Sequence, residues 1–414
     1  MNVLIVGAGV GGLTLALALQ RAGIVARVFE ASSELRPLGV GINVLPHASR
    51  ELGRLGLGAE LTRHAVLTRA AAFYNRFGQL IYREPLGRDA GYDSPQYSIH
   101  RGDLQRVLLD AFVERAGAAQ LATGWRCTGF EQDESGATVA FADARSGAAL
   151  PAQRADVVIA CDGLHSAIRK RLHPHEGEPR YSGINMWRGV TRCKPFLGGA
   201  TMVRAGWFSH GKMVIYPIRD DVDGAGTQLV NWVAELQTAQ HRERDWTRPG
   251  ALADFIGAFE DWHFDWLDVP ALIRGADAVL EFPMVDQDPL PWWTQGRVTL
   301  LGDAAHPMVP RGSNGAGQAI LDARCLADLL ASGIDPAAAL KAYEAQRLAA
   351  TTQVVLTNRS NPPDAIIREV LERSGDRPFE RIEDIISHAE LARMSERYKQ
   401  VSGFGPPAPA RTTP

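Results

Sequence analysis

The chain has 414 residues, 45% of them hydrophobic and 22% charged, with 44 lysines and arginines against 47 aspartates and glutamates and a formal net charge of −3. This balance, with no long basic run, argues against nucleic acid or an anionic membrane as a partner. No apolar run approaches the ~18 residues a membrane span needs. Four cysteines, Cys127, Cys161, Cys193 and Cys325, stand far apart without a CxxC pair. They suggest neither a disulfide framework nor a metal site. With no secretory leader pattern at its start, the chain is expected to be a cytoplasmic protein of two or three domains.

The first predicted element is a β-branched strand at Asn2–Val6, followed by Gly7-Ala8-Gly9-Val10-Gly11-Gly12 and a run of strong helix formers. Strand, tight turn and helix in this order make a dinucleotide site. Gly7 allows the turn, Gly9 lets a pyrophosphate approach the backbone, and Gly12 lets the helix pack closely. A second strand ends in Glu30, eighteen residues after Gly12, where a carboxylate can accept both ribose hydroxyls. Arg36 and Pro37 then precede a glycine-rich crossing that holds Asn43. Further on, "YSIHRGDLQRVLLDAFVERAG" predicts a strand and then a helix with Arg101 at its start and Leu104, Val107, Leu108, Ala111 and Phe112 on one face.

Val157–Ala160 reads as a buried strand leading to Asp162-Gly163 and a short helix with Ser166 and Arg169. From Tyr181 to Met284 the chain reads as strands with Trp and Tyr interspersed, an antiparallel sheet. Strand-turn-helix recurs at "RVTLLGDAAHPMVPRGSNGAGQAILDA", in which Ala316, Ala319, Ile320, Ala323, Leu326, Ala327 and Leu330 form the apolar face. The N–H groups near Gly315, Ala316 and Gly317 would point from a helix N-terminus at a group of partial negative charge. Residues 335–360 are helical in pattern until Asn361-Pro362-Pro363 breaks them. An amphipathic helix is predicted over 379–400, with residues 403–414 disordered.

GxGxxG, DGxxSxxR and GDAxHxxxPxxxxG occur here in order, at Gly7–Gly12, Asp162–Arg169 and Gly302–Gly315. On these motifs the chain resembles, over roughly residues 1–360, the single-component FAD-dependent aromatic hydroxylases, a class including p-hydroxybenzoate, salicylate and 6-hydroxynicotinate hydroxylases. Within the class, "RPLGVGIN", "PQYSIHRGDLQ", "MWRGVT", "LVNWV" and "PMVDQDPLPWW" look most like the phenazine-1-carboxylate hydroxylases. The resemblance implies an α/β fold: a Rossmann-like FAD-binding domain of the p-hydroxybenzoate hydroxylase type at 1–180 and 285–360. It also implies an inserted antiparallel β-sheet substrate domain at 181–284, with contributions from 70–100, and C-terminal helices at 361–402.

It further implies that Glu30 binds the adenosine ribose, that Arg36 and Arg101 lie along the cofactor, and that Cys127 gives backbone contacts near the adenine. Asp303 would take a ribityl hydroxyl, and Gly315 and Ala316 would meet the flavin ring. Gly7, Gly9, Gly12, Asn43, Asp162 and Pro310 complete the expected cofactor set. Asn43 replaces the His or Ser found in parts of the class, which puts base catalysis from that position in doubt. Three catalytic candidates follow: Tyr216 to orient the substrate ring, Arg188 to pair with a substrate carboxylate, and His306 as a proton relay. Each also fits a structural part, as a half-buried sheet tyrosine, a sheet-edge salt bridge and a loop histidine.

The implied reaction uses NADH or NADPH and O2, through a flavin C4a-hydroperoxide, to hydroxylate, with or without decarboxylation, a small electron-rich aromatic or N-heteroaromatic substrate. With one complete dinucleotide fingerprint, the nicotinamide would visit transiently. An FAD-dependent epoxidase or reductase acting on a non-aromatic substrate, or a non-catalytic FAD-binding protein, shares the same cofactor shell. Either a monomer or a homodimer fits.

Overall fold

A computed structural model describes residues 1–35, 40–239 and 249–403; Arg36 and the tail beyond Gly403 lie outside these residues. The strand Asn2–Val6 sits inside a six-stranded sheet. Its neighbour Val157–Ala160 and the next strand, Val298–Leu300, are parallel to it, with Val6 opposite Ala160 and Ala160 opposite Leu300. On the other side lie Val25–Glu30 and then Leu121–Thr123, also parallel. The three central strands are apolar and almost wholly buried, as expected of a parallel sheet with both faces covered. The helices Val10–Arg21, Arg101–Ala116 and Gly315–Ala331 pack side by side. The strand ends that open into the three motifs are therefore in line.

The glycines of the first motif set this packing. Gly7 has a φ of +104° and passes so close to the Cys161 carbonyl that a Cβ would sit 2.4 Å from it. At Gly12 a Cβ would meet the Gly7 carbonyl at 2.1 Å, and at Gly11 the Leu301 side chain at 2.9 Å. Helix, first turn and the end of the strand Val157–Ala160 thus touch at backbone distance.

A seven-stranded sheet runs in the order Ala276–Asp286, Arg180–Cys193, Gln228–Gln237, Gly211–Arg219, Thr201–Trp207, Ala70–Tyr74, Leu80–Pro85. It is mixed rather than wholly antiparallel, since Thr201–Trp207 and Ala70–Tyr74 pair in parallel. From the 70–100 region only Ala70–Tyr74 and Leu80–Pro85 join it. Gln96–His100 instead pairs with Gly41–Val44 and Ala65–Thr68 in a small sheet.

The stretch 251–274 also departs from the run of strands expected there. It forms short 3-10 turns, a two-residue hairpin and the helix Val269–Arg274. Phe255, Phe259 and Trp262, at helix-like rather than strand-like spacing, cover Trp187, Trp232, Val203 and Ile215 on the sheet's outer face. Period two then assigns the inner face. Arg188, Val233, Val214 and Arg204 stand opposite one another in successive strands.

Beyond Pro336–Ser360, the helix Ala365–Ser374 ends at Gly375 in the left-handed region. The helix expected over 379–400 starts only at His388, because Ser387 caps it by accepting the Glu390 N–H, and runs to Val401. Ile366, Ile367, Val370 and Leu391 pack on Phe73 and Ile81 of the seven-stranded sheet.

Candidate active site

At the first motif, Gly9 has no atom within 4 Å of the position a Cβ would occupy. The following helix has no side-chain cap, so its first N–H groups are available to an anion. Glu30 is held at the same turn: its carboxylate accepts the Ala8 N–H and the Ser32 N–H, both at 2.8 Å. Gln105, which sequence reasoning missed, donates to the Ala8 carbonyl at 2.8 Å and ties the helix Arg101–Ala116 to this loop.

Asp162 accepts the Ala167 N–H at 3.0 Å through Oδ2, while Oδ1 is buried without a partner among the described residues. Burial pushes its carboxyl up to about 6. Open backbone at Gly9, an uncapped helix and an unsatisfied buried oxygen at Asp162 form a cradle that fits the pyrophosphate and sugar of FAD. Cys127 is buried in the strand Trp125–Gln132, with its thiol pushed up to about 12 by burial.

Arg169, the last residue of the second motif, is 1% exposed. It donates to the Ala304 and Ala305 carbonyls at 2.8 and 2.9 Å and pairs with Glu176 at 2.7 Å. The second motif thereby holds the third in place. Asp303 is exposed at the head of that loop, 3.8 Å from where a Gly315 side chain would begin, and Arg101 lies within its field. Pro310 is exposed. Gly315 and Ala316 open the helix Gly315–Ala331, whose N-cap residue Asn314 makes no cap bond. Asn314 instead donates to the Gly312 carbonyl at 3.1 Å and to the Tyr398 hydroxyl at 2.9 Å.

Of the catalytic candidates, the structure brings two together and sets the third apart. Tyr216 and Arg188 lie side by side on the inner face and converge on Gly41. Arg188 Nη2 donates to the Gly41 carbonyl at 2.8 Å, and Asn231 Oδ1 accepts the Gly41 N–H at 2.7 Å. A Cβ on Gly41 would sit 2.7 Å from Tyr216. Burial raises the Tyr216 phenol, with Arg188 opposing. Asn43 sits deeper, its Oδ1 accepting the Ser98 hydroxyl at 2.5 Å in a chain that continues to Thr68.

His306 is 3% exposed, with Nε2 at 2.5 Å from Asp322 Oδ2 and its ring against Trp293. Asp322 also accepts from Arg347 at 2.7 Å. Burial raises the Asp322 carboxyl, but His306 and Arg347 overcome this and hold it below the usual range.

Apart from Arg188, the charged residues on the inner face were not foreseen. Lys212, 1% exposed, bridges Glu235 and Asp364, each at 2.7 Å. Arg311 reaches Asp364 at 3.5 Å and lies over the Phe208 ring at 4.8 Å. The signal for Lys212 in the sequence is a charge inside the otherwise apolar strand "GKMVIYPIR", and "TMVRAGW" on the neighbouring strand carries another, Arg204.

A family model described as an FAD binding domain matches residues 1–248 and 284–358. The chain is 42% identical over 405 residues to phenazine 1,6-dicarboxylic acid hydroxylase PhzS of Lysobacter antibioticus, covering 97% of each. It is 31% identical over 373 residues to 6-hydroxynicotinate 3-monooxygenase of Bordetella bronchiseptica, covering 87% of this chain and 91% of that one. HpxO of Klebsiella pneumoniae, solved with FAD and uric acid, has a TM-score of 0.75 at 26% identity over 98% of this chain and 95% of the other. The chain belongs to the FAD binding domain family and, within it, to the FAD-dependent aromatic monooxygenases, which use NAD(P)H and O2. An aromatic substrate, rather than the non-aromatic or non-catalytic alternatives, is what these relatives support. No helix among the described residues is long and apolar enough to cross a membrane.

Proposed function

We propose that the enzyme hydroxylates an aromatic carboxylate, of fused N-heteroaromatic type, held between the inner face of the seven-stranded sheet and the loop Pro307–Arg311. The observation that carries this reading is Arg188: a guanidinium on the inner face beside Tyr216, with no carboxylate partner among the described residues. Its planar fork suits a substrate carboxylate. The relative from Lysobacter antibioticus, whose name specifies a phenazine dicarboxylate, supports the same class.

Gly7, Gly9, Gly12, Glu30 and Asp162 would hold the adenosine diphosphate end of FAD, with Asp303, Gly315 and Ala316 at the flavin end and Arg36 and Arg101 alongside. Bound FAD would supply the redox chemistry, linking NAD(P)H as reductant to O2 as the source of the oxygen atom gained by the ring. The uncapped N–H groups at Gly315–Gly317 oppose negative charge with a helix N-terminus. Tyr216 orients the substrate through its hydroxyl, next to Arg188. Val309, Phe208, Met186 and Phe282, which form one apolar cluster, keep water from the reacting ring. His306 acts as a strut for the loop through Asp322. Residues 1–180 and 285–360 form the cofactor unit and 181–284 the substrate unit, in a cytoplasmic monomer or homodimer with four unpaired cysteines.

The test is a screen of aromatic carboxylates for stimulated NAD(P)H oxidation with a product gaining one oxygen atom. Oxidation that no aromatic acid stimulates would overturn the reading. Arg188→Gln is expected to raise KM at least tenfold while retaining FAD.

A further inference from the structure

Four cations, Arg204, Lys212, Arg311 and Lys399, gather where the inner face meets the C-terminal helices, and three carboxylates face them: Glu84, Glu235 and Asp364. Lys212 satisfies Glu235 and Asp364 at 2.7 Å, and Lys399 satisfies Glu84 at 2.8 Å. The cluster is left with one positive charge in excess. That charge resides on Arg204. It is 7% exposed, lies 5.4 Å from the Phe73 ring, and makes no hydrogen bond or ion pair among the described residues. Buried guanidinium groups are normally paired, because desolvating an unpaired charge is costly. An arginine with its donors uncommitted in an interior space is therefore poised for an anion that arrives from outside.

The register places that anion. Arg188, Val233, Val214 and Arg204 form one row across four adjacent strands. Their side chains share the inner face, and Arg188 and Arg204 stand three strand spacings apart, about 14 Å at the backbone. Val214, on a central strand of the sheet, packs against the apolar clusters that hold Phe208, Val309 and Tyr216 yet stays only half-buried, so the floor between the two arginines is not wholly closed by side chains. Phe208 and Val309 belong to the apolar cluster above it. The space thus has an apolar floor and roof with an arginine at each end.

We propose that Arg204 is a specificity-determining residue that binds a second acidic group at the far end of the substrate from Arg188, so that the enzyme prefers planar aromatic diacids to the corresponding monoacids. This rests on the reading of the site as one for aromatic carboxylates. Two guanidinium groups about 14 Å apart at their backbones, each reaching inward, match a fused tricyclic ring with carboxylates on opposite edges. A ring with one carboxylate would engage Arg188 and leave Arg204 unpaired.

The experiment uses the FAD-loaded enzyme with phenazine-1,6-dicarboxylate and phenazine-1-carboxylate as probes, reading Kd from the perturbation of flavin absorbance and kcat/KM from NAD(P)H oxidation. The wild type is expected to bind the diacid at least tenfold more tightly than the monoacid. Arg204→Gln should abolish that difference by weakening the diacid alone. Arg204→Lys, which keeps the charge, should retain part of it, and Arg204→Met, which keeps volume without charge, should behave as the Gln variant. Flavin content and Tm report whether each variant is folded. Equal affinity of the wild type for the two acids overturns the proposal, as does an Arg204→Gln variant that weakens both equally or neither. If the monoacid binds and is hydroxylated while either of those results holds, the reading of the site survives and only the role of Arg204 falls. If neither acid perturbs the flavin, both fall.

Discussion

Asp162 shows how one residue links the cofactor cradle to stability. Folding raises its carboxyl from an ordinary value near 4 to about 6, because burial disfavours the charge. The folded chain therefore holds this proton more tightly than the unfolded one. The group favours folding below about pH 4, and that contribution is lost as pH rises through 6, by about 3 kcal/mol on the usual conversion. In the FAD-free protein, Tm should fall between pH 4 and 6, and Asp162→Asn should flatten that part of the curve. An unchanged slope in the variant would show that the carboxyl titrates normally. At this scale the glycine motif could be read directly from sequence, because Gly7 and Gly12 answer to sterics alone. Arg204 could not, since whether an arginine is solvated or buried without a partner depends on what folds over it.

Among the elements, the C-terminal helix His388–Val401 has the clearest consequence. Tyr398 donates to Asn358 Oδ1 at 2.7 Å, accepts from Asn314 at 2.9 Å, and passes so close to Gly312 that a Cβ there would overlap its oxygen. The helix thus clamps the loop leading into Gly315–Ala331. Tyr398→Phe removes both hydrogen bonds and leaves Asn358 and Asn314 short of partners in the interior. A loss of about 1–3 kcal/mol in urea unfolding is expected, with faster FAD release seen as recovery of flavin fluorescence. The existence of C-terminal helices was plain from composition, but their boundaries were not. Capped by Ser387, the last helix starts at His388, nine residues later than periodicity suggests, because capping overrides a pattern that is apolar on both sides of it. The stretch 251–274 was misread for a related reason. Its tryptophans and phenylalanines have strand propensity, yet they serve as the cover of a sheet that is already complete.

For the molecule as a whole, Arg169 carries the link between distant parts of the chain. It spans from the second motif to the Ala304 and Ala305 carbonyls of the third, with Glu176 fixing its other edge. Arg169→Lys keeps the charge but loses the fork that meets two carbonyls and a carboxylate together. We expect FAD affinity to fall about tenfold, with a Tm lower by several degrees, as a loss of about 1–2 kcal/mol implies. Retention of wild-type FAD affinity would show that the third motif holds its shape unaided.

The sequence alone determined that three strand-turn-helix units exist and that the first of them carries a dinucleotide fingerprint. Each unit is local, so its glycines, its strand and its helix face obey rules that act within some twenty residues. Only the tertiary structure decided that the three strands lie side by side, with Val6, Ala160 and Leu300 in register. It also decided which face of the seven-stranded sheet turns inward and which of its arginines are left without an opposite charge. Pairing between strands far apart in the chain, and the burial it imposes, is set by what else competes for the same surfaces, and no local pattern carries that information.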